Sequence, residues 1–200
     1  KAFDSGDINV DNMMQALGDF MFAINSTNTR LDEALNLEGV APNIDYDKYF
    51  SRFNNMENQG KALFLEHCMS CHESTITPPN FIVFEHANNG LAVEYVDKGV
   101  GAISGKTSEN GSFKIPSLRN IELTGPYMHD GRFETLEEVI DFYSIGIKEH
   151  PNLDHRLKKN GQAKKMNFST EEKAALLAFL KTMTDYQMIS EEKFADPFLQ

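Results

Sequence analysis

The chain has 200 residues, of which 40% are hydrophobic, and a formal net charge of −11 at pH 7. This length can bury a real core, as one domain or as one domain with a helical extension. The negative charge argues against a general nucleic-acid binder, which would need a basic face. No apolar run is long enough to span a bilayer, so no membrane span is expected.

The opening third of the chain predicts two helices. The first covers residues 9–25, and its methionines are expected to fill core space, the usual role of Met at helical spacing. A shorter helix follows near Leu31–Leu37. Residues 1–59 are too few for a core of their own, so they are predicted to form a helical extension that packs on the rest of the chain or on something missing. The expected apolar face of the first helix comprises Val10, Met14, Leu17, Met21 and Ile24.

The next segment, Gly60 to Glu73, reads GKALFLEHCMSCHE and contains the pattern C-x-x-C-H at Cys68, Cys71 and His72. This pattern is the attachment signal for c-type haem, in which two cysteines bind the haem vinyl groups and the histidine binds iron. A redox dithiol would follow a strand, which is lacking here. Structural zinc needs four ligands, and a disulfide between residues three apart is geometrically awkward. The pattern therefore predicts one covalent haem c.

A predicted haem c also predicts where the protein works. Haem c is attached outside the bacterial cytoplasm, so we expect a periplasmic or otherwise extracytoplasmic location. Both cysteines are used by the haem, which leaves no disulfide to report the redox compartment. Lys1 opens no signal peptide, so we expect that a leader has been removed or that the chain starts within a longer protein.

Residues 74–131 are rich in turn-forming residues. From 74 to 111 regular periodicity is lost, and a long loop of this kind can wrap a haem edge. Pro78 and Pro79 either brace the proximal ring or form a plain turn. The stretch FKIPSLRNIELTGPYMHDG (113–131) then holds Arg119 and Met128.

Two further helices are predicted in the last third. Thr135 and Glu138 form a capping box, and the helix face beyond it ends at Tyr143. A buried tyrosine hydroxyl needs a partner, for which iron is one candidate. The basic residues between 148 and 165 suit a docking patch or a solvated loop. Ser169 and Glu172 cap the last helix, whose inward residues are predicted to be Ala174, Leu177, Ala178 and Leu180. The fold class is all-α, with a cytochrome c-type helical domain over 60–186 around one covalent haem, long loops and a tail over 187–200.

Four segments in order resemble the C-terminal haem half of bacterial dihaem cytochrome c peroxidases, on their MauG-like branch. They are DFMFAIN, GKALFLEHCMSCH, FKIPSLRNIELTGPYMHDGRFETLEEVIDFYSIG and FSTEEKAALLAFLKTMTD. The resemblance implies reduction of hydrogen peroxide to water at a second haem in an N-terminal half. It also implies a small electron-donor protein such as a cytochrome c or a cupredoxin, and it allows a homodimer.

The resemblance also implies roles for single residues. Cys68 and Cys71 become the thioether anchors and His72 the proximal ligand. The distal ligand of ordinary family peroxidases is a methionine at the position of Tyr143, and tyrosine there marks the MauG-like branch. Tyr143 is therefore favoured over Met128, because family position and apolar helix face agree.

Two further sites follow from the same resemblance. The family binds calcium at the seam between its halves, through backbone carbonyls that match Thr124 and Pro126 and an asparagine of the other half. Arg119 either pairs with a haem propionate or is a structural loop arginine.

The chain departs from the family pattern because it has one C-x-x-C-H and no tryptophan. It is therefore either a fragment or a natural single-haem relative. Three functions remain open: the electron-transfer half of a peroxidase or MauG-type oxidoreductase, a free-standing mono-haem electron carrier, or a haem-based redox or gas sensor.

Overall fold

The computed structural model describes residues 8–39, 44–73 and 85–195. Within them the chain is mostly helical, as the sequence predicts. The predictions for Pro78 and Pro79 lie outside the described residues. No helix in the described part is long and apolar enough to cross a membrane.

Eight α-helices are described, joined by loops and 3₁₀ turns. Two predicted capping boxes are confirmed, at the starts of the helices that follow Thr135 and Ser169. The side chains of these two residues accept hydrogen bonds from the backbone N–H groups of Glu138 and Glu172. These contacts satisfy N–H groups that a helix start leaves free. The helices are α1 (Val10–Ala23), α2 (Arg30–Glu38), α3 (Asn55–His67), α4 (Met69–His72), α5 (Val100–Ser104), α6 (Leu136–Asp141), α7 (Thr170–Lys181) and α8 (Tyr186–Ile189).

The main core lies where α3 crosses α7. Phe64 of α3 packs against Phe179 of α7 with ring centroids 5.2 Å apart. Leu31 and Leu35 of α2 belong to the same cluster, so part of the predicted extension packs on the domain. The prediction for α7 was wrong in detail, because Ala174 is exposed. Its buried residues are Ala175, Leu176, Phe179 and Leu180. The helix is apolar over seven consecutive residues, so periodicity alone could not select the face.

The apolar face of α1 corrects a second prediction. The helix forms, with the Asn9 side chain as its N-cap, but none of its residues is buried among the described parts of the chain. Met14 and Met21 are both 67% exposed, so they are not core filler here. Periodicity predicted the helix correctly, but no described residue buries its apolar face.

Short strands lie in or beside the segments that the sequence predicts as loops. Strand β1 (His86–Ala87) pairs antiparallel with β2 (Phe113–Lys114), and β3 (Lys158–Lys159) pairs with β4 (Gln162–Ala163). Helix α6 continues into a π-helical turn over Phe142–Gly146, which contains Tyr143. Such turns are rare and occur frequently at functional sites.

Candidate haem-binding site

The predicted attachment residues lie on one helical turn. Helix α3 ends at His67, and the backbone N–H groups of Cys71 and His72 both donate to the carbonyl of Cys68, at 3.1 and 3.0 Å. Both thiols are free. Burial raises the pKa of Cys68 to about 12, and it also raises the pKa of Cys71. Redox-active dithiols have a lowered thiol pKa, so this environment does not favour that alternative.

The imidazole of His72 is held by one backbone carbonyl. Its Nδ1 lies 3.0 Å from the oxygen of Pro116. A carbonyl can only accept, so Nδ1 carries the proton and the Nε2 lone pair is free. Burial lowers the pKa of His72 to about 4, which keeps the ring neutral. A neutral imidazole with its other nitrogen bonded to a carbonyl is the usual form of a metal-ligating histidine.

Both candidates for the sixth ligand lie near one amide group. The Nδ2 of Asn89 is 3.4 Å from the hydroxyl oxygen of Tyr143 and 3.5 Å from the sulfur of Met128. Burial raises the pKa of Tyr143 to about 12, while the bond from Asn89 acts in the opposite direction. The structure therefore brings Tyr143 and Met128 together beside the amide of Asn89.

Two apolar clusters adjoin at this site. Cys68 and Met69 pack against the main core, whereas Tyr143 and Met128 pack against a second cluster around Phe142, Leu153 and Leu157. Met166 packs against both clusters. The attachment turn and the candidate sixth ligands therefore belong to adjoining apolar surroundings, which suit a flat apolar macrocycle.

Arg156, which the sequence placed in the basic segment, contacts the attachment turn. Its Nη1 donates to the carbonyl of Ser70, between the two cysteines, and to the carboxylate of Glu85, both at 2.9 Å. Its Nε and Nη2 donate to the two carboxylate oxygens of Asp154. No sequence pattern indicates this role, because Arg156 and Ser70 are 86 positions apart.

Arg119 forms a buried ion pair with Asp32. Its two terminal nitrogens donate to the two carboxylate oxygens at 2.8 and 2.5 Å. The side chains are only 10% and 15% exposed. This geometry gives Arg119 a structural role, one of the two alternatives. Its Nε is buried and has no hydrogen-bond partner among the described residues. The propionate contact stays a prediction.

The residues predicted for calcium lie apart from the attachment turn in sequence. Thr124 and Pro126 are exposed and follow a 3₁₀ turn at Ile121–Leu123. The described residues contain no group of three or more His, Cys, Asp or Glu side chains suited to a metal ion. The predicted calcium ligands are backbone carbonyls, so this site stays a prediction.

Taken as a donor set, these residues fit haem c. Two free thiols and a neutral histidine with a free Nε2 lie on one turn, and the adjoining side chains are apolar. The attachment residues were predictable from the sequence, but Pro116, Asn89 and Arg156 were not. Asn89 lies in the segment Asn88-Asn89-Gly90, which reads only as a turn.

Comparison with known proteins decides the family. A cytochrome-c peroxidase of Pseudomonas sp. (strain SCT) is 30% identical over 93% of this chain and 52% of its own length. The cytochrome c551 peroxidase of Nitrosomonas europaea is 29% identical over 94% of this chain and 48% of its own length. The chain is a homologue of the cytochrome c peroxidases and MauG proteins.

Other comparisons agree with this assignment. The methylamine utilization protein MauG of Paracoccus denitrificans is 29% identical over 72% of this chain and 46% of its own length. The solved structure of a MauG-like protein associated with microbial copper homeostasis matches with a TM-score of 0.71 and 32% identity. That match covers 96% of this chain and 62% of the other. A scan against models of protein families gives no match. The chain spans about half the length of the curated relatives it matches.

Proposed function

We propose that this chain is the haem c electron-transfer part of a cytochrome c peroxidase or MauG-like oxidoreductase. In this proposal it passes electrons toward a peroxide-reducing haem in a second, N-terminal half, where hydrogen peroxide is reduced to water. The observation that carries the proposal is the attachment turn. Cys68, Cys71 and His72 lie together, and the Pro116 carbonyl leaves the His72 Nε2 free.

The residues of the chain would bind and tune the cofactor. Cys68 and Cys71 would hold the haem through thioethers, and His72 would ligate its iron. A c-type haem, when bound, supplies a one-electron redox centre. Tyr143 would provide an oxygen ligand, and an anionic phenolate favours oxidised iron and lowers the potential, whereas the Met128 thioether would raise it. A low potential suits a domain that shares oxidising equivalents with a second haem.

The exposed face of α1 supports the second half as a partner. Five apolar side chains at helical spacing remain 45% to 69% exposed: Val10, Met14, Leu17, Met21 and Ile24. Apolar surface of this extent on one helix face usually marks an interaction site. The relatives are about twice as long as the matched segment, which is consistent with such a partner.

Further parts of the proposal concern donor, ion and location. A small cytochrome c or cupredoxin would supply electrons, and a calcium ion would bind the carbonyls of Thr124 and Pro126 at the seam with the other half. The location would be the bacterial periplasm, where haem c is attached. A homodimer is compatible with the proposal.

Expression with haem c maturation in a bacterial periplasm tests the cofactor. We expect one haem per chain that stays bound after denaturation. A Cys68→Ala, Cys71→Ala double variant should lose this covalent attachment. A colourless wild-type protein with two alkylatable thiols would refute the proposal.

Peroxide turnover separates the electron-transfer role from a complete peroxidase. With a reduced donor present, we expect this chain alone to accept electrons but to turn over hydrogen peroxide poorly. Robust turnover by this chain would contradict the proposed division of labour. The second candidate is a free-standing mono-haem electron carrier, which a gene without an upstream C-x-x-C-H would select.

A further inference from the structure

The side chain of Asn89 has a fixed orientation beside the two candidate ligands. Its Oδ1 accepts a hydrogen bond from the backbone N–H of Leu91 at 3.2 Å, and the same N–H also donates to the Tyr95 hydroxyl at 2.9 Å. This contact identifies the oxygen end of the amide. The nitrogen end must therefore face the Tyr143 hydroxyl and the Met128 sulfur, at 3.4 and 3.5 Å. An amide NH₂ carries two hydrogens, so both groups can receive one at the same time.

The two acceptors are not equivalent. A separation of 3.4 Å is long for an N–H···O bond to a neutral phenol. Ionisation of the acceptor shortens such a bond and makes it about twice as strong. A thioether sulfur is a weak acceptor and gains no charge when it binds a metal. The Asn89 amide therefore stabilises Tyr143 as an anionic oxygen ligand more than it stabilises Met128 as a sulfur ligand.

The position of Met128 is set by its backbone. Its φ is 71°, in the left-handed region that non-glycine residues seldom adopt. The surrounding loop therefore determines where this side chain begins, and the Asn89 amide contacts the sulfur at its other end. The backbone conformation and the contact with Asn89 together restrain the Met128 side chain.

We propose that Asn89 is a positioning residue that selects Tyr143 over Met128 as the sixth haem ligand. One amide hydrogen stabilises the Tyr143 oxygen in its ligating form, and the other restrains the Met128 sulfur. This inference rests on the proposed function, in which His72 would also ligate the haem iron.

Two substitutions of Asn89 remove the donor and keep the local turn. Asn89→Asp retains an oxygen for the Leu91 N–H but replaces the NH₂ with a second acceptor, which repels a phenolate. Asn89→Ser keeps a hydroxyl that can accept from the same N–H, and it removes the amide without adding charge. Asn160→Asp, on an exposed turn, is the control for the change in net charge.

The readouts are the absorption and electron paramagnetic resonance spectra and the midpoint potential of the haem-loaded full chain. The ligands are identified with Tyr143→Phe and Met128→Leu. We expect the spectrum of Tyr143→Phe to differ from that of the wild type and the spectrum of Met128→Leu to match it. Because a charge-assisted hydrogen bond contributes about 1.5–3 kcal/mol, the ratio of Tyr-ligated to other haem should fall about 10-fold or more in Asn89→Ser. It should fall further in Asn89→Asp, with a higher midpoint potential, and stay unchanged in Asn160→Asp.

The outcomes separate this inference from the proposed function. Haem-loaded Asn89 variants with wild-type spectra and potentials would overturn the role of Asn89 and leave haem binding intact. A wild-type spectrum that Tyr143→Phe does not alter would overturn it as well. A chain that binds no haem would overturn both the function and the selection of its ligand.

Discussion

Gly60 allows α3 and α7 to cross closely, and replacing it with alanine should destabilise the protein. An added Cβ at Gly60 would lie 1.9 Å from the carbonyl oxygen of Ala175 and 2.8 Å from the Cβ of Phe179. Real Cβ atoms do not approach closer than about 3.0 Å, so the helices must separate by roughly 1 Å. The obstacle is backbone, which cannot rotate away as a side chain could.

The magnitude follows from two opposing effects. Helix propensity alone favours alanine over glycine by about 0.5–1 kcal/mol in a helix interior. A gap of roughly 1 Å forfeits up to about half of the dispersion energy of the atoms involved, and overpacking in cores costs about 1–3 kcal/mol. The crossing joins Phe64 to Phe179 at the centre of the core, so we expect a packing cost at the upper end, about 3 kcal/mol. Subtracting the propensity gain leaves a net loss of about 2–2.5 kcal/mol.

Gly18 provides the matched control, because it also lies inside a helix. A Cβ added there meets nothing within 4 Å. Gly18→Ala should therefore show only the favourable propensity effect, about 0.5–1 kcal/mol within α1.

Thermal unfolding followed by circular dichroism measures both variants. For a domain of this size, about 2–2.5 kcal/mol corresponds to a fall in Tm of about 4–10 °C for Gly60→Ala. Gly18→Ala should keep or slightly raise the Tm. Equal behaviour of the two variants, or a Tm of Gly60→Ala at or above wild type, would refute the reasoning that the close crossing requires glycine.

Two further variants compare a buried ion pair with an exposed one, and a third variant tests the attachment turn. Arg119→Gln leaves the buried Asp32 carboxylate without its partner and should cost about 3 kcal/mol by urea unfolding. Arg52 pairs with Glu33 at 2.7 Å on the surface, where both side chains are about half exposed, so Arg52→Gln should cost at most about 1 kcal/mol. Burial raises the pKa of Asp32, but the bonds from Arg119 and Thr29 outweigh it and the net pKa lies below 3.8. This stabilisation is present above the unfolded pKa and is lost as pH falls through the lowered folded value, so the gap between the two variants should narrow below about pH 4; an unchanged gap would contradict the role of the pair. Arg156→Gln removes the donors to the Ser70 carbonyl and should lower the yield of covalent haem relative to Arg52→Gln, as measured by absorbance per chain after denaturation.

Local patterns in the sequence predicted several features correctly. The capping boxes at Thr135 and Ser169 join residues three apart, so the residues that form them are visible in the sequence itself. The predicted attachment residues likewise lie on a single turn at Cys68–His72. The apolar spacing of α1 predicted a helix for the same reason.

Long-range contacts could not be predicted in this way. His72 and Pro116 are 44 positions apart, and Asn89 and Tyr143 are 54 positions apart. No periodicity or spacing relates such pairs, because the packing of α3 on α7 and the course of the loops bring them together. The buried face of α7 was missed for a related reason. Phe179 is buried because it packs against the ring of Phe64 on another helix.

The sequence by itself determined helices α1, α2, α6 and α7, the capping boxes of α6 and α7, and the group of residues suited to a covalent haem. Only the tertiary structure decided which histidine nitrogen is free, which groups meet at Tyr143, and that Arg119 pairs with Asp32. The physical reason is range: a cap or a C-x-x-C-H turn is formed by neighbours along the chain. A hydrogen bond across the fold exists only after distant segments have packed, and its partners depend on the volume and shape of every side chain between them.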